Sequence, residues 1–259
     1  MDVSDHTGGV NLVVAAGRIF IAILPFTLVV IAVMVVGDAV DAVIFGKGIL
    51  DLVFIVTCAY FAQTAALRGL QWYEALRYGR RYWSFLWRSI AAYLAVVLLA
   101  VVVASANVLI FGSEVAMSLR EFPVLVLSIS ALALVVLGGM FSVLGTWWPA
   151  AIADGNRRFD TALRRGRATR GYVFWRAASV LVAIVALQQV VPAFIYDWAG
   201  RSGLSVSDPN GATNWAVVFG WALEYCLVAC GAVALSIILA RAYLRAEATE
   251  LAKAVATFE

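Results

Sequence analysis

Glu224 stands out first, because it is a carboxylate set well inside the apolar stretch Trp215–Ala240. If that stretch crosses a bilayer, the charge costs on the order of 3 kcal/mol on insertion scales. It must therefore face other protein or take up a proton. Either state suits a proton or cation site, or a contact to a transported substrate. A structural hydrogen bond suits it as well, and Gln188, Gln189 and Asn107 lie at comparable depth as partners. The structural role is favoured, since no second acid sits as deep. Gly220, Trp221, Leu227 and Gly231 share the helix face of Glu224, and the glycines allow a neighbouring helix to come close.

Arginines supply the second candidate chemistry. Arg88 and Arg176 each follow a tryptophan, in Trp87-Arg88 and Trp175-Arg176. A guanidinium grips phosphate with two parallel hydrogen bonds, so these positions fit a headgroup or partner contact. Arg77, Arg80, Arg164 and Arg167 belong to the same set. For each taken singly, ordinary anchoring by positive charge is the simpler role. Asp38, Asp41 and Asp51 sit at the ends of apolar stretches, where snorkelling to the interface accounts for them. Cys58, Cys226 and Cys230 all fall in apolar segments. Their odd number argues against a disulfide framework. His6 is the only histidine, which disfavours haem ligation and histidine-based catalysis. There is no phosphate-cradling glycine loop with lysine and no nucleophile elbow. The expectation is a protein with no catalytic residues, no metal and no cofactor.

The elements that must carry these residues are membrane helices. Of 259 residues, 64% are hydrophobic and 14% charged, far from the balance of a soluble domain. About 20 apolar residues cross the hydrocarbon core as a helix. Six stretches qualify: Ile19–Val36, Ile49–Leu67, Ser89–Phe111, Phe122–Trp147, Val173–Ile195 and Trp215–Ala240. Pro25 and Pro192 lie inside two of them and predict local kinks. Met1–Gly9 has two aspartates and no basic residue, so the first stretch reads as an uncleaved helix rather than a secretory signal.

Basic residues set the orientation. Sixteen of the 19 lysines and arginines fall in alternate connections or at the ends, and only Lys47, Arg120 and Arg201 fall in the other three loops. The positive-inside rule then places both termini in the cytoplasm. The basic face is assigned to anionic lipid headgroups rather than nucleic acid.

Two basic segments resemble each other. Ala75-Leu76-Arg77-Tyr78-Gly79-Arg80 matches Ala162-Leu163-Arg164-Arg165-Gly166-Arg167, and a fainter copy, Val14-Ala15-Ala16-Gly17-Arg18, precedes the first span. The chain thus divides into units of about 10–67, 68–153 and 154–245, with a tail at 246–259. On a helix, Phe159, Ala162, Leu163 and Gly166 fall on one side, opposite Arg157, Arg158, Asp160, Arg164, Arg165 and Arg167. That pattern predicts an amphipathic helix lying in the interface. Tyr78, Tyr82, Trp83, Trp87, Tyr172 and Trp175 form an aromatic belt beside it. The fold class expected is all-α integral membrane, one domain of six spans in three hairpins, each preceded by a short amphipathic cytoplasmic helix.

The Ala-Leu-Arg-x-Gly-Arg segments, with the spacing of spans around them, resemble the six-helix bacterial inner-membrane proteins of the YciC type. They are also similar to the membrane domain fused to some glycerophosphodiester phosphodiesterases. The resemblance implies the bacterial inner membrane and brings no catalytic residues. The function expected is an accessory, scaffold or assembly subunit that binds membrane lipid or another membrane protein. The alternative is a transporter or channel subunit with Glu224 in its pathway. Reporter fusions at Lys47, Arg120 and Arg201 test the topology. Each should report the outer side, and a cytoplasmic signal from any of them defeats the six-span scheme.

Overall fold

A computed structural model describes residues 12–39, 47–68, 81–95, 98, 135–153, 158–198 and 215–258. Regular structure among them is helical throughout, with no strand. Lipid enforces this, because a spanning backbone must satisfy its own hydrogen bonds. The helices are α1 (Leu12–Ala39), α2 (Lys47–Arg68), α3 (81–95), α4 (135–144), α5 (Trp147–Ile152), α6 (Phe159–Trp198) and α7 (Trp215–Phe258). Pro25 lies inside α1, which continues past it. The helix of α6 likewise runs through position 192.

Five segments among the described residues are long and apolar enough to cross a membrane. They are Val13–Val35, Asp51–Arg68, Val135–Ile152, Phe159–Leu187 and Val217–Ala252. This is the make-up of a multi-pass membrane protein. The remaining expected span, Ser89–Phe111, enters the described residues only through α3 and residue 98.

α7 is the hub and packs against α6, α2, α1 and α5. Contacts between side chains fix the chain directions. Ile184 of α6 meets Gly231 of α7, while Arg164 of α6 reaches Glu250, so this pair is antiparallel. Tyr225 of α7 bonds Asp51 of α2, and Ser236 bonds the Ala59 carbonyl, so these two run parallel. Phe26 of α1 packs on Phe61 of α2, and Ile31 and Met34 cluster with Phe54, so α1 and α2 are antiparallel. Gly138 and Gly166 link α4 to α6 in antiparallel order, through Phe174 and Val143.

Two features depart from the expected layout. The basic segment before the fifth span is not a separate interfacial helix. It is the first part of α6, 40 residues without a break, facing a 44-residue α7. At 1.5 Å per residue both are about 60 Å long, twice a hydrocarbon core of about 30 Å. The amphipathic pattern also misplaces two residues. Ala162 and Gly166 are buried and Leu163 half-buried, but Phe159 is 50% exposed and Arg165 only 3%. The cause is coverage from two sides, since α4 packs at Gly166 and α7 brings an acid to Arg165. Second, Tyr82 of α3 meets Thr57 and Tyr60, about three turns before the end of α2. As part of an aromatic belt at the start of the third span, it was expected level with the end of α2.

Three buried threonine hydroxyls are satisfied within their own helices. Thr27, Thr64 and Thr169 each donate to the carbonyl four residues earlier, the usual solution for a hydroxyl away from water. Backbone closeness at Gly166 is more demanding. A methyl group there would lie 1.9 Å from the Val143 carbonyl oxygen, whereas one at Gly171 would meet nothing within 4 Å. Gly166→Ala should therefore destabilise the protein by about 1–3 kcal/mol. Gly171→Ala should be neutral or stabilise by up to about 1 kcal/mol. Thermal unfolding in a mild detergent compares them; equal effects would mean that α4 and α6 do not approach as described.

Candidate functional site

Arginine and aromatic side chains gather around the first part of α6, the second part of α7 and the short α5. α5 is mostly buried, from Trp148 to Ile152. Its backbone is held by guanidinium groups from two other helices. Arg68, at the end of α2, donates to the Ile152 carbonyl from Nε at 3.1 Å and Nη2 at 2.7 Å. That carbonyl ends a helix and has no partner further along it. Arg88 of α3 donates to the Trp147 carbonyl and lies over the Trp147 ring, 5.0 Å from its centre. Trp148 Nε1 donates to Ser89 Oγ at 3.1 Å, and Thr146 Oγ1 to the Ala162 carbonyl at 3.2 Å.

Along the α6–α7 seam the arginines differ sharply. Arg165 pairs with Glu247 and lies over the Tyr243 ring, 5.1 Å from its centre. Arg164, next to it, makes an exposed ion pair with Glu250 at 3.0 Å. Two turns further into α6, Tyr172 carries two guanidinium groups. Arg176 lies 4.2 Å from the ring centre and Arg245 of α7 lies 4.0 Å from it. Both arginines are exposed, and so is Arg167. The tryptophans of the expected belt point outward, with Trp83, Trp87 and Trp175 59%, 63% and 72% exposed. Tyr82 instead turns inward to Thr57 at 3.0 Å.

The equivalence of Arg88 and Arg176 therefore holds for position and not for environment. Arg88 is buried against Trp147, while Arg176 is open to the surface. Arg77 and Arg80 lie outside the described residues, as does Asn107.

Glu224 is half-buried on α7. It shares a face, at seven residues' spacing, with Gly231, which packs against Ile184, so that face turns toward α6. Its expected partners Gln188 and Gln189 are on α6, with side chains outside the described residues. The neighbouring Tyr225 is buried, packs edge-on against Phe54 and donates to Asp51 Oδ1 at 3.3 Å. Sequence reasoning treated Asp51 as a snorkelling acid and missed this link. No signal in the sequence marked it, since Asp51 begins its apolar stretch whereas Tyr225 lies ten residues into its own. Among the described residues no cluster of metal-ligating side chains occurs.

Chemically, the arrangement can hold helices together and present positive charge. Comparison with known proteins adds nothing to this, since no family model, curated protein or solved structure matches the chain.

The two neighbouring ion pairs should respond differently to truncation. Arg165→Ala leaves Glu247 without its partner at a buried seam and should cost about 2–3 kcal/mol, below the range for a fully buried pair because Glu247 is 38% exposed. Arg164→Ala, at 72% exposure, should cost no more than about 0.5 kcal/mol. Unfolding in detergent, followed by loss of helical circular dichroism, measures both. Equal costs would contradict the burial of Arg165.

Proposed function

We infer that this is a non-catalytic multi-spanning protein of the bacterial cytoplasmic membrane, an accessory, scaffold or assembly subunit that binds lipid or a membrane partner. One observation carries the reading. Several interior polar side chains join one helix to another, while exposed arginine charge is concentrated at one end of the α6–α7 pair. Asp51 with Tyr225, Thr57 with Tyr82, and Ser236 with the Ala59 carbonyl all link one helix to another. Arg164, Arg167, Arg176 and Arg245 are exposed near the boundary of the apolar stretches.

The reading places that end in the cytoplasm, with both termini on the same side, in keeping with the distribution of basic residues. The directions of α1, α2, α6 and α7 accord with it. α1 is antiparallel to α2, and α7 is parallel to α2 and antiparallel to α6. The resemblance to proteins of the YciC type is part of the same proposal.

Glu224 keeps the transporter reading in play, since it is half-buried on a face turned toward α6. Two measurements separate the readings. The full chain purified in mild detergent should retain lipid or a stoichiometric membrane protein. Glu224→Gln should leave that retention and the expression level unchanged. A cation or proton flux in vesicles containing the full chain, abolished by Glu224→Gln with expression intact, would overturn the accessory reading.

A further inference from the structure

We propose that Arg176 and Arg245, gathered on the ring of Tyr172, form a binding site for the phosphate of an anionic phospholipid headgroup. The proposal rests on the lipid-binding part of the functional reading and gives it an address.

Tyr172 is half-buried between α6 and α7 and comes just before Val173, where the apolar stretch of α6 begins. Arg245 follows the apolar stretch of α7 by five residues. The two guanidinium groups thus sit where hydrocarbon gives way to headgroups. Trp175, 72% exposed on the same stretch of α6, is the kind of side chain that settles at that depth.

The electrostatics call for an anion. Arg164 and Arg165 each have a glutamate, Glu250 and Glu247. Among the described residues neither Arg176 nor Arg245 pairs with a carboxylate. Arg176 donates one long bond, 3.5 Å, to the Tyr172 carbonyl, and most of its fork stays available. The negative face of the aromatic ring favours each cation, but it does not neutralise two of them. Like charges held this close repel, and a shared anion removes the repulsion. With Cζ atoms 4.2 and 4.0 Å from one ring centre, the two guanidinium carbons lie no more than about 8 Å apart, a span that the exposed forks can close by turning toward one phosphate at the ring edge. Two forks on one tetrahedral anion match phosphate better than a point charge does.

Native mass spectrometry of the full chain in mild detergent tests the site, with phosphatidylglycerol and phosphatidylcholine of the same acyl chains as probes. The wild type should retain phosphatidylglycerol preferentially. Arg176→Gln with Arg245→Gln should weaken that retention by about thirtyfold, each arginine at a membrane surface contributing roughly fivefold. Arg18→Gln, which removes an exposed charge from α1, should keep the preference. If the double variant is not monodisperse, Arg176→Gln alone should still lose about fivefold. A wild type that prefers phosphatidylglycerol, with variants that do so equally, overturns this site and leaves lipid binding intact. A wild type that holds both lipids alike overturns the site and the lipid part of the reading together. Displacement of phosphatidylglycerol by millimolar inorganic phosphate assigns the arginines to a soluble anion and overturns the headgroup assignment.

Discussion

The close approach of α6 and α7 is the contact on which the other helices depend. It is made possible where Gly231 presents bare backbone to Ile184; a methyl group added there would meet that side chain at 2.9 Å. In lipid, helices gain little from hiding apolar surface from one another, so close packing and hydrogen bonds must hold them. Once α6 and α7 are in register, α7 offers its buried residues between Val233 and Tyr243, such as Ser236, Ile237 and Leu239, to the rest of the bundle. Leu239 meets the position of Gly145, and Ser236 reaches α2. The same register brings Arg165 to Glu247 and Arg245 to Tyr172.

Membrane proteins commonly hide small polar side chains by bonding them locally, and this chain does so with Thr27, Thr64 and Thr169. The arginines follow a different rule. Arg68 and Arg88 direct their charge to backbone carbonyls of α5, a helix of 6 residues. A short helix leaves many carbonyls without partners of its own. Arg68 supplies one of these at Ile152, Arg88 adds a second bond at Trp147 where the helix starts, and the two tie distant parts of the sequence together. Charge that topology alone would assign to anchoring is here also part of the internal scaffold.

Much of the architecture was legible from hydropathy, since each of the five described apolar segments overlaps an expected stretch. Helix ends were less legible. Val173–Ile195 and Trp215–Ala240 are the most apolar stretches, but a helix does not stop where apolar sequence ends when its neighbour continues beside it. The burial of Arg165 was hidden for a related reason. Helical periodicity sorts residues into two faces, and α6 has neighbours on more than one side. Glu247, the partner that makes the burial tolerable, is 82 residues away in sequence, and no local pattern connects them. The pairing of Arg176 with Arg245 was missed likewise, because only the fold brings α7 to Tyr172.

The length of α6 and α7 has a mechanical consequence. Two continuous helices, zipped together by packing near Gly231 and by ion pairs toward Glu250, behave as one stiff rod. With roughly half its length outside the hydrocarbon, such a rod converts changes in the bilayer into displacement at its free end. A change in tilt of about 10° moves a point roughly 20 Å beyond the membrane by some 3–4 Å.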